Sequence, residues 1–300
     1  MAPKNRADQS KRAPLALLAA LWLTVIPHYT APARRSLSGP PPENGSAGLI
    51  DPAGATIETR IRVPLGFTRV QVADGSFAAY LRQLPLKPHP AQVRLYDGRI
   101  KENAGIYEAV VDLPIGDKDL QQCADAVMRL RAEYLYRQKR FTEIHFNFSN
   151  GFRADYSEWM RGKRIVVKGN RAYWTQAQGP ANTYRDFWAY LEVVFSYAGT
   201  RSLAKELMPA RVGDLRSGDV FIQGGSPGHA VIVVDLANDR WTGAKVFLLA
   251  QSYMPAQEIQ ILRNPDSLEK NPWYDADFGD TLSTPEWIFS RADLKRFAEP

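Results

Sequence analysis

The sequence predicts an α+β fold, a mostly antiparallel sheet packed against helices with an N-terminal elaboration, on three observations. Gly218 to Ser252 reads as three closely spaced strands: Val220 to Gln223, a β-branched run opened by His229, and Lys245 to Gln251. Short apolar runs bounded by turn signals, here the loop Gly224 to Gly228 and a polar turn, are what strands buried on both faces look like. Upstream, Leu120, Cys123, Ala124, Val127, Leu130 and Tyr134 recur three and four apart, as one face of a helix does. Phe187, Leu191, Val194, Phe195 and Ala198 repeat that spacing before Gly199 stops the run.

The chain has 300 residues, 45% of them hydrophobic, enough to bury a substantial core and too apolar for a disordered or fibrous protein. Its formal charge is +6, but Lys4, Arg6, Lys11 and Arg12 against Asp8 place half of that in the first 33 residues. With no basic stripe elsewhere, nucleic-acid binding is not indicated. Residues 1–33 read as an export signal: a basic stretch, an apolar core from Pro14 to Ile26, then Ala31 and Ala33 around Pro32. The apolar core is shorter than the roughly 20 residues that span a bilayer, so membrane contact is expected only if the segment stays uncleaved as an anchor. Residues 34–56 are rich in Pro, Gly and Ser and read as a flexible linker, leaving 57–300 as a single α+β domain.

Along that domain, the alternation Ile57, Thr59, Ile61, Val63 predicts a strand, and Ser76 to Leu84 a short helix. Val93 to Tyr96 and Glu108 to Asp112 predict strands around the Asp97-Gly98 turn. Asp117 is an N-cap candidate for a long helix ending near Lys139. Phe141 to Ser149 alternates like a strand, Thr183 with Asp186 forms a capping box, Ser202 to Leu207 reads as a short helix, and Ser290 caps a last helix from Arg291 to Glu299.

Cys123 is the sole cysteine. On an apolar stripe it reads as a small core hydrophobe; near a helix N-terminus it reads as a thiolate whose pKa the helix dipole lowers, with Gln121 and Gln122 as oxyanion donors. His229 stands at the mouth of the second strand and Gln251 at the end of the third. A histidine and an amide brought together there supply the base and orienter of a catalytic triad. Alternation puts His229, Val231, Val233 and Asp235 on one face, making Asp235 a charge partner of His229 if both are buried. The alternative for His229, Gln251 and Asp235 is that of satisfied core or strand-end groups. Gln122, Asp235, Ser252, Trp273 and Tyr274 are binding candidates, the aromatics either lining a groove or covering a core edge. His145 has no second ligand at metal spacing, and no metal or cofactor is expected.

The run Thr183 to Ser252 resembles the catalytic half of NlpC-type cell-wall peptidases, a papain-like α+β family, through Tyr184 to Gly199, Arg201-Ser202, Gly218-Asp219, Gly228-His229 and Gln251. Where that family carries its cysteine at a helix start, this sequence has Asp186, Phe187 and Trp188. Either Cys123 takes that role, or the fold persists without the chemistry. Over nearly its full length the chain is also similar to a bacterial family, domain of unknown function 4846, through Asp-Leu-Gln-Gln-Cys-Ala-Asp-Ala-Val and Pro-Gly-His-Ala-Val-Ile-Val-Val-Asp. These resemblances imply an exported, periplasmic or extracellular envelope protein. It is either a thiol hydrolase using Cys123, His229 and Gln251 on peptidoglycan peptides, or a non-catalytic module binding such peptides through the same cleft.

Overall fold

A computed structural model of the protein describes residues 48–298, so the expected export segment and most of the expected linker lie outside the described residues. The remainder of that linker is folded: Leu49 is buried and Ile50 bridges to Ile61. Thr56 and Thr59 cap each other's backbone, winding α1 (Ile57–Arg60) where alternation predicted a strand. β1 (Phe67–Arg69) follows, then α2 (Phe77–Arg82), whose first turn is capped by the Ser76 hydroxyl, and β2 (Tyr107–Val110).

The long helix, α3 (Cys123–Arg137), begins later than Asp117 suggests, with Gln122 as its N-cap. The carboxylate of Asp125 turns back to accept the Gln122 backbone N–H at 3.0 Å, satisfying a donor that the helix start leaves free. Cys123 is therefore the first helical residue rather than a member of a mid-helix stripe.

Two hairpins follow, β3 (His145–Asn147) with β4 (Arg153–Asp155), and β5 (Lys163–Lys168) with β6 (Arg171–Gln176), separated by α4 (Tyr156–Met160). The Thr183 capping box starts α5 (Tyr184–Tyr197) as predicted, and α6 (Thr200–Glu206) comes next. The remaining elements are β7 (Met208–Pro209), β8 (Val220–Gln223), β9 (His229–Asp239), β10 (Lys245–Gln251), β11 (Gln260–Leu262), β12 (Tyr274–Asp275), β13 (Thr281–Ser283), β14 (Ile288–Ser290) and β15 (Leu294–Arg296). The expected last helix is a single 3-10 turn, Arg291–Asp293, because the chain beyond it pairs with β8 and β7 instead. Tertiary pairing overrides local propensity here.

Among the described residues the main sheet is antiparallel, ordered β2-β11-β10-β9-β8-β15-β7, with β1 on β9 and β12 on β10. One face packs Ala230, Ile232, Val234, Leu248 and Ala250 against Ala124, Val127 and Leu130 of α3. The other packs Val231, Val233, Phe247 and Leu249 against Tyr274, Leu282, Phe289 and Leu294. Each Val, Leu, Ile or Phe among these, fully buried, contributes about 1.5–3 kcal/mol.

A bulge interrupts the β9–β10 ladder. Leu248 pairs with Asp235 while Leu249 pairs with Val233, so β9 carries one extra residue. Partners in a ladder share a face. Asp235 therefore sits with Leu248 on the α2 side, away from the face of His229, which corrects the face assignment read from alternation.

Candidate functional site

The site is assembled where β9 and β10 stop pairing. Their ladder runs as far as Ile232–Ala250, after which Gln251 pairs with Gln260 of β11. The first helical turn of α3 lies against this end of β9, and the backbone N–H of Ala230, the residue next to His229, is near enough to the Cys123 thiol to favour its ionised form. On the other face, His229 Nε2 donates to Gln251 Oε1 at 2.8 Å, and both side chains are buried. Tyr253 lies beside both halves: its ring centroid is 5.0 Å from that of His229, and its phenol is near enough to Cys123 for a thiolate there to hinder its ionisation.

Further groups complete the cluster. Gln251 Nε2 donates to Glu286 Oε2 at 2.5 Å, and Lys101 Nζ contacts both Glu286 oxygens at 2.8 and 2.9 Å. The Trp287 ring, 5.4 Å from His229, is held in place by its Nε1–H donating to Gln223 Oε1, and Phe289 closes the same side at 6.0 Å. Apolar rings over a hydrogen-bonded imidazole and amide keep water from competing for that bond.

The backbone leading into Cys123 is tied down as well. Ser252 Oγ lies 2.6 Å from Gln257 O and 3.0 Å from Gln121 O, so the end of β10 and the start of α3 share one hydroxyl. Asp119 Oδ1 accepts from the Ala256 N–H at 2.6 Å and from Gln122 Nε2 at 3.1 Å. Gln121 is turned inward, its Oε1 accepting from Arg129.

A cleft of about 490 Å³ opens over the start of α3, with Gln122, Cys123, Asp125, Arg201, Gly228 and Met254 among its walls. Gly228 is required at its rim. A Cβ there would stand 2.5 Å from Thr200 Oγ1 and 2.7 Å from Gln223 O, so any side chain would push the Gly224 to Gly228 loop off α6 and displace His229. A cavity of similar size, about 510 Å³, lies among Val70, Phe77, Gly218 and Lys245, and its walls carry neither thiol nor imidazole.

The electrostatics favour neutral groups. Burial pushes the Cys123 thiol up to about 11, and the Asp125 carboxyl adds to this, while the N–H groups of Ala124, Ala230 and Cys123 itself pull the other way. The lowered thiol pKa expected from the helix N-terminus is thus outweighed by desolvation. Burial likewise holds His229 down at about 4, with Lys101 helping and the Gln251 hydrogen bond opposing. Asp125 is raised to about 8 by burial, against the N–H groups of Gln122 and Asp125, and its Oδ1 has no hydrogen bond.

A family model described as a domain of unknown function (4846) matches residues 57–296. The chain belongs to this family. The matched span runs from α1 to β15 and so includes every residue of the cluster, Lys101 and Glu286 as well as Cys123, His229 and Gln251. No curated protein and no solved structure matches the chain.

In this domain of unknown function 4846 member, the other sequence candidates fall elsewhere or take other roles. Asp235, fully buried, receives Arg69 Nε at 2.7 Å and Arg82 Nε at 2.8 Å and is no partner of His229. Trp273 and Tyr274 are buried core covers, donating to Arg62 O and Arg263 O, with Tyr274 stacked on Phe247 toward the far end of β10 from Gln251. Phe187 of α5 stacks on Tyr136 of α3 at 4.3 Å, so α5 buttresses α3 and it is α3 that meets β9. His145 Nδ1 contacts Glu143 O at 3.0 Å, and the described residues contain no group of acidic, His and Cys side chains fit to hold a metal.

Sequence reasoning missed Lys101, Tyr253, Glu286 and Trp287. Tyr253 was within reach, two residues past Gln251. Lys101 and Glu286 carry no local signal, being joined only by the fold.

Proposed function

We propose that this protein is a papain-like thiol hydrolase of the bacterial cell envelope, cleaving peptide-type amides such as those of peptidoglycan stems. The observation that supports it is the meeting of three groups from separate elements: a thiol at the first position of a helix, lying near the N–H beside a histidine whose Nε2 is held by an amide. With Nε2 engaged by Gln251, Nδ1 is the nitrogen left for proton exchange, and the reading requires it to meet the thiol around the mouth of β9, since the two side chains come from opposite faces of that strand.

Both partners start neutral, so the step is general-base catalysis rather than attack by a standing thiolate. The Cys123 sulfur forms a bond to the substrate carbonyl carbon as its proton passes to His229 Nδ1. The oxyanion is met by backbone N–H groups at the start of α3, whose dipole favours negative charge. The imidazolium returns the proton to the leaving amine, the C–N bond breaks, and water hydrolyses the thioester by the same route. Export to the envelope rests on the pattern of residues 1–33.

The test is digestion of muropeptides by the mature protein and by Cys123→Ala, followed by mass spectrometry. Cleavage by the wild type and none by Cys123→Ala, with unchanged melting, is the expected result; equal cleavage by both sinks the reading. A second reading, a non-catalytic module binding envelope peptides through this cleft, is favoured by the thiol being only 7% exposed. Under it, Cys123→Ala alters stability alone and leaves muropeptide binding intact.

A further inference from the structure

Glu286 lies too far along the chain for any sequence motif to connect it to His229, and it does not touch the imidazole. It touches what orients the imidazole. An amide side chain can present either its oxygen or its nitrogen to a histidine, and the two choices select opposite tautomers. Here the choice is imposed from behind. Lys101 Nζ, itself buried, approaches both oxygens of Glu286 at 2.8 and 2.9 Å and also donates to Gln257 Oε1 at 3.0 Å. In an ion pair of that geometry Glu286 takes part as an acceptor only. The Gln251 group facing it at 2.5 Å must then be the NH₂, and the oxygen is turned to His229 at 2.8 Å.

We propose that Glu286, paired with Lys101, is a positioning residue that locks His229 in the tautomer with Nε2 protonated, reserving the Nδ1 lone pair for the Cys123 proton. The catalytic half of this statement rests on the thiol-hydrolase reading; the tautomer half does not. The device resembles the role of a buried carboxylate behind a catalytic histidine, with one amide interposed.

The experiment is two-bond ¹H–¹⁵N correlation spectroscopy of the full chain labelled at histidine, with the His229 signals assigned by their loss in His229→Gln. The wild type is expected to show the Nε2-protonated tautomer alone. In Glu286→Gln the acceptor-only neighbour is gone, the Gln251 amide can flip, and a mixed or Nδ1-protonated spectrum is expected. The paired exchange Gln251→Glu with Glu286→Gln restores an acceptor beside Nε2 and should return the pure tautomer, which a merely structural role for Glu286 would not do. It also serves as the readout should Glu286→Gln alone fail to fold. An unchanged tautomer in Glu286→Gln, or an Nδ1-protonated one in the exchange, overturns the proposal. Where muropeptide cleavage is measurable, kcat should fall about 10- to 100-fold in Glu286→Gln and recover in part in the exchange. A locked tautomer in a protein whose Cys123→Ala variant cleaves normally would remove the thiol mechanism and leave the positioning role standing.

Discussion

His229 Nε2 donates to Gln251 Oε1 at 2.8 Å across two strands that cease to pair just where the Cys123 thiol comes near the Ala230 N–H. The end of one ladder thus creates the opening into which the helix start is placed. Four predictions follow from the charges and packing around that opening.

Alkylation of Cys123 by iodoacetamide should be slow at neutral pH and rise toward an apparent pKa near 11, since burial favours the neutral thiol. Asp125→Asn should lower that midpoint, because the Asp125 carboxylate is the charge that opposes thiolate formation, and its amide oxygen still caps Gln122. Rate constants read by mass spectrometry across pH decide the matter; fast reaction below pH 8 would contradict the burial argument.

Asp125 also governs stability at alkaline pH. Its pKa in the fold, about 8, exceeds the ordinary 3.8, so the folded protein holds a proton that the unfolded chain has released. The stability this confers is complete below pH 3.8 and is lost as pH rises through 8. Glu206, raised to about 7 by burial, adds in the same direction. Urea unfolding at pH 8.5 should show Asp125→Asn more stable than the wild type by about 2 kcal/mol, with the gap closing near pH 4.

His229 works the opposite way. Its pKa falls from 6.5 to about 4 on folding, so its contribution is complete above pH 6.5 and is lost as pH falls through 4. Over that interval the wild type should lose roughly 3 kcal/mol that His229→Gln does not. Unfolding midpoints for both proteins at pH 4 and 7 test this, and parallel curves would rule it out.

Asp235→Ala should cost about 3–5 kcal/mol in urea unfolding, because it leaves Arg69 and Arg82 without the buried carboxylate they share. The ¹⁵N tautomer signal of His229 should not change, since the bulge puts Asp235 on the other face of the sheet. A change in that signal would mean that the two ends of β9 are coupled.

Much of this was legible in the chain. The three strands around His229 and the Thr183 capping box come from short-range signals, β-branched runs between glycines and a polar cap before an apolar stripe. Cys123 was visible as the sole cysteine, and His229 and Gln251 because each stands at the end of an apolar run. The start of α3 was misjudged because Asp117 and Gln122 are both polar residues that can precede a helix, and what decides between them is the anchoring of 119–122 by Ala256 and Ser252, residues more than a hundred positions away. The misplacement of Asp235 has a similar origin, since one extra residue in β9 reverses the face, and a bulge becomes visible only against the partner strand.

Local patterning thus specified the central strands, the two long helices and the chemistry available: one thiol, an imidazole at a strand mouth, and an amide at a strand end. Their juxtaposition was decided by tertiary structure alone. So were the Lys101–Glu286 pair behind the amide, the burial that keeps the thiol and imidazole neutral, and the removal of Asp235, Trp273 and Tyr274 from the site. Local periodicity reports which face of an element is apolar, whereas proximity and desolvation depend on which elements are packed together, and those contacts join residues whose separation along the chain carries no signal.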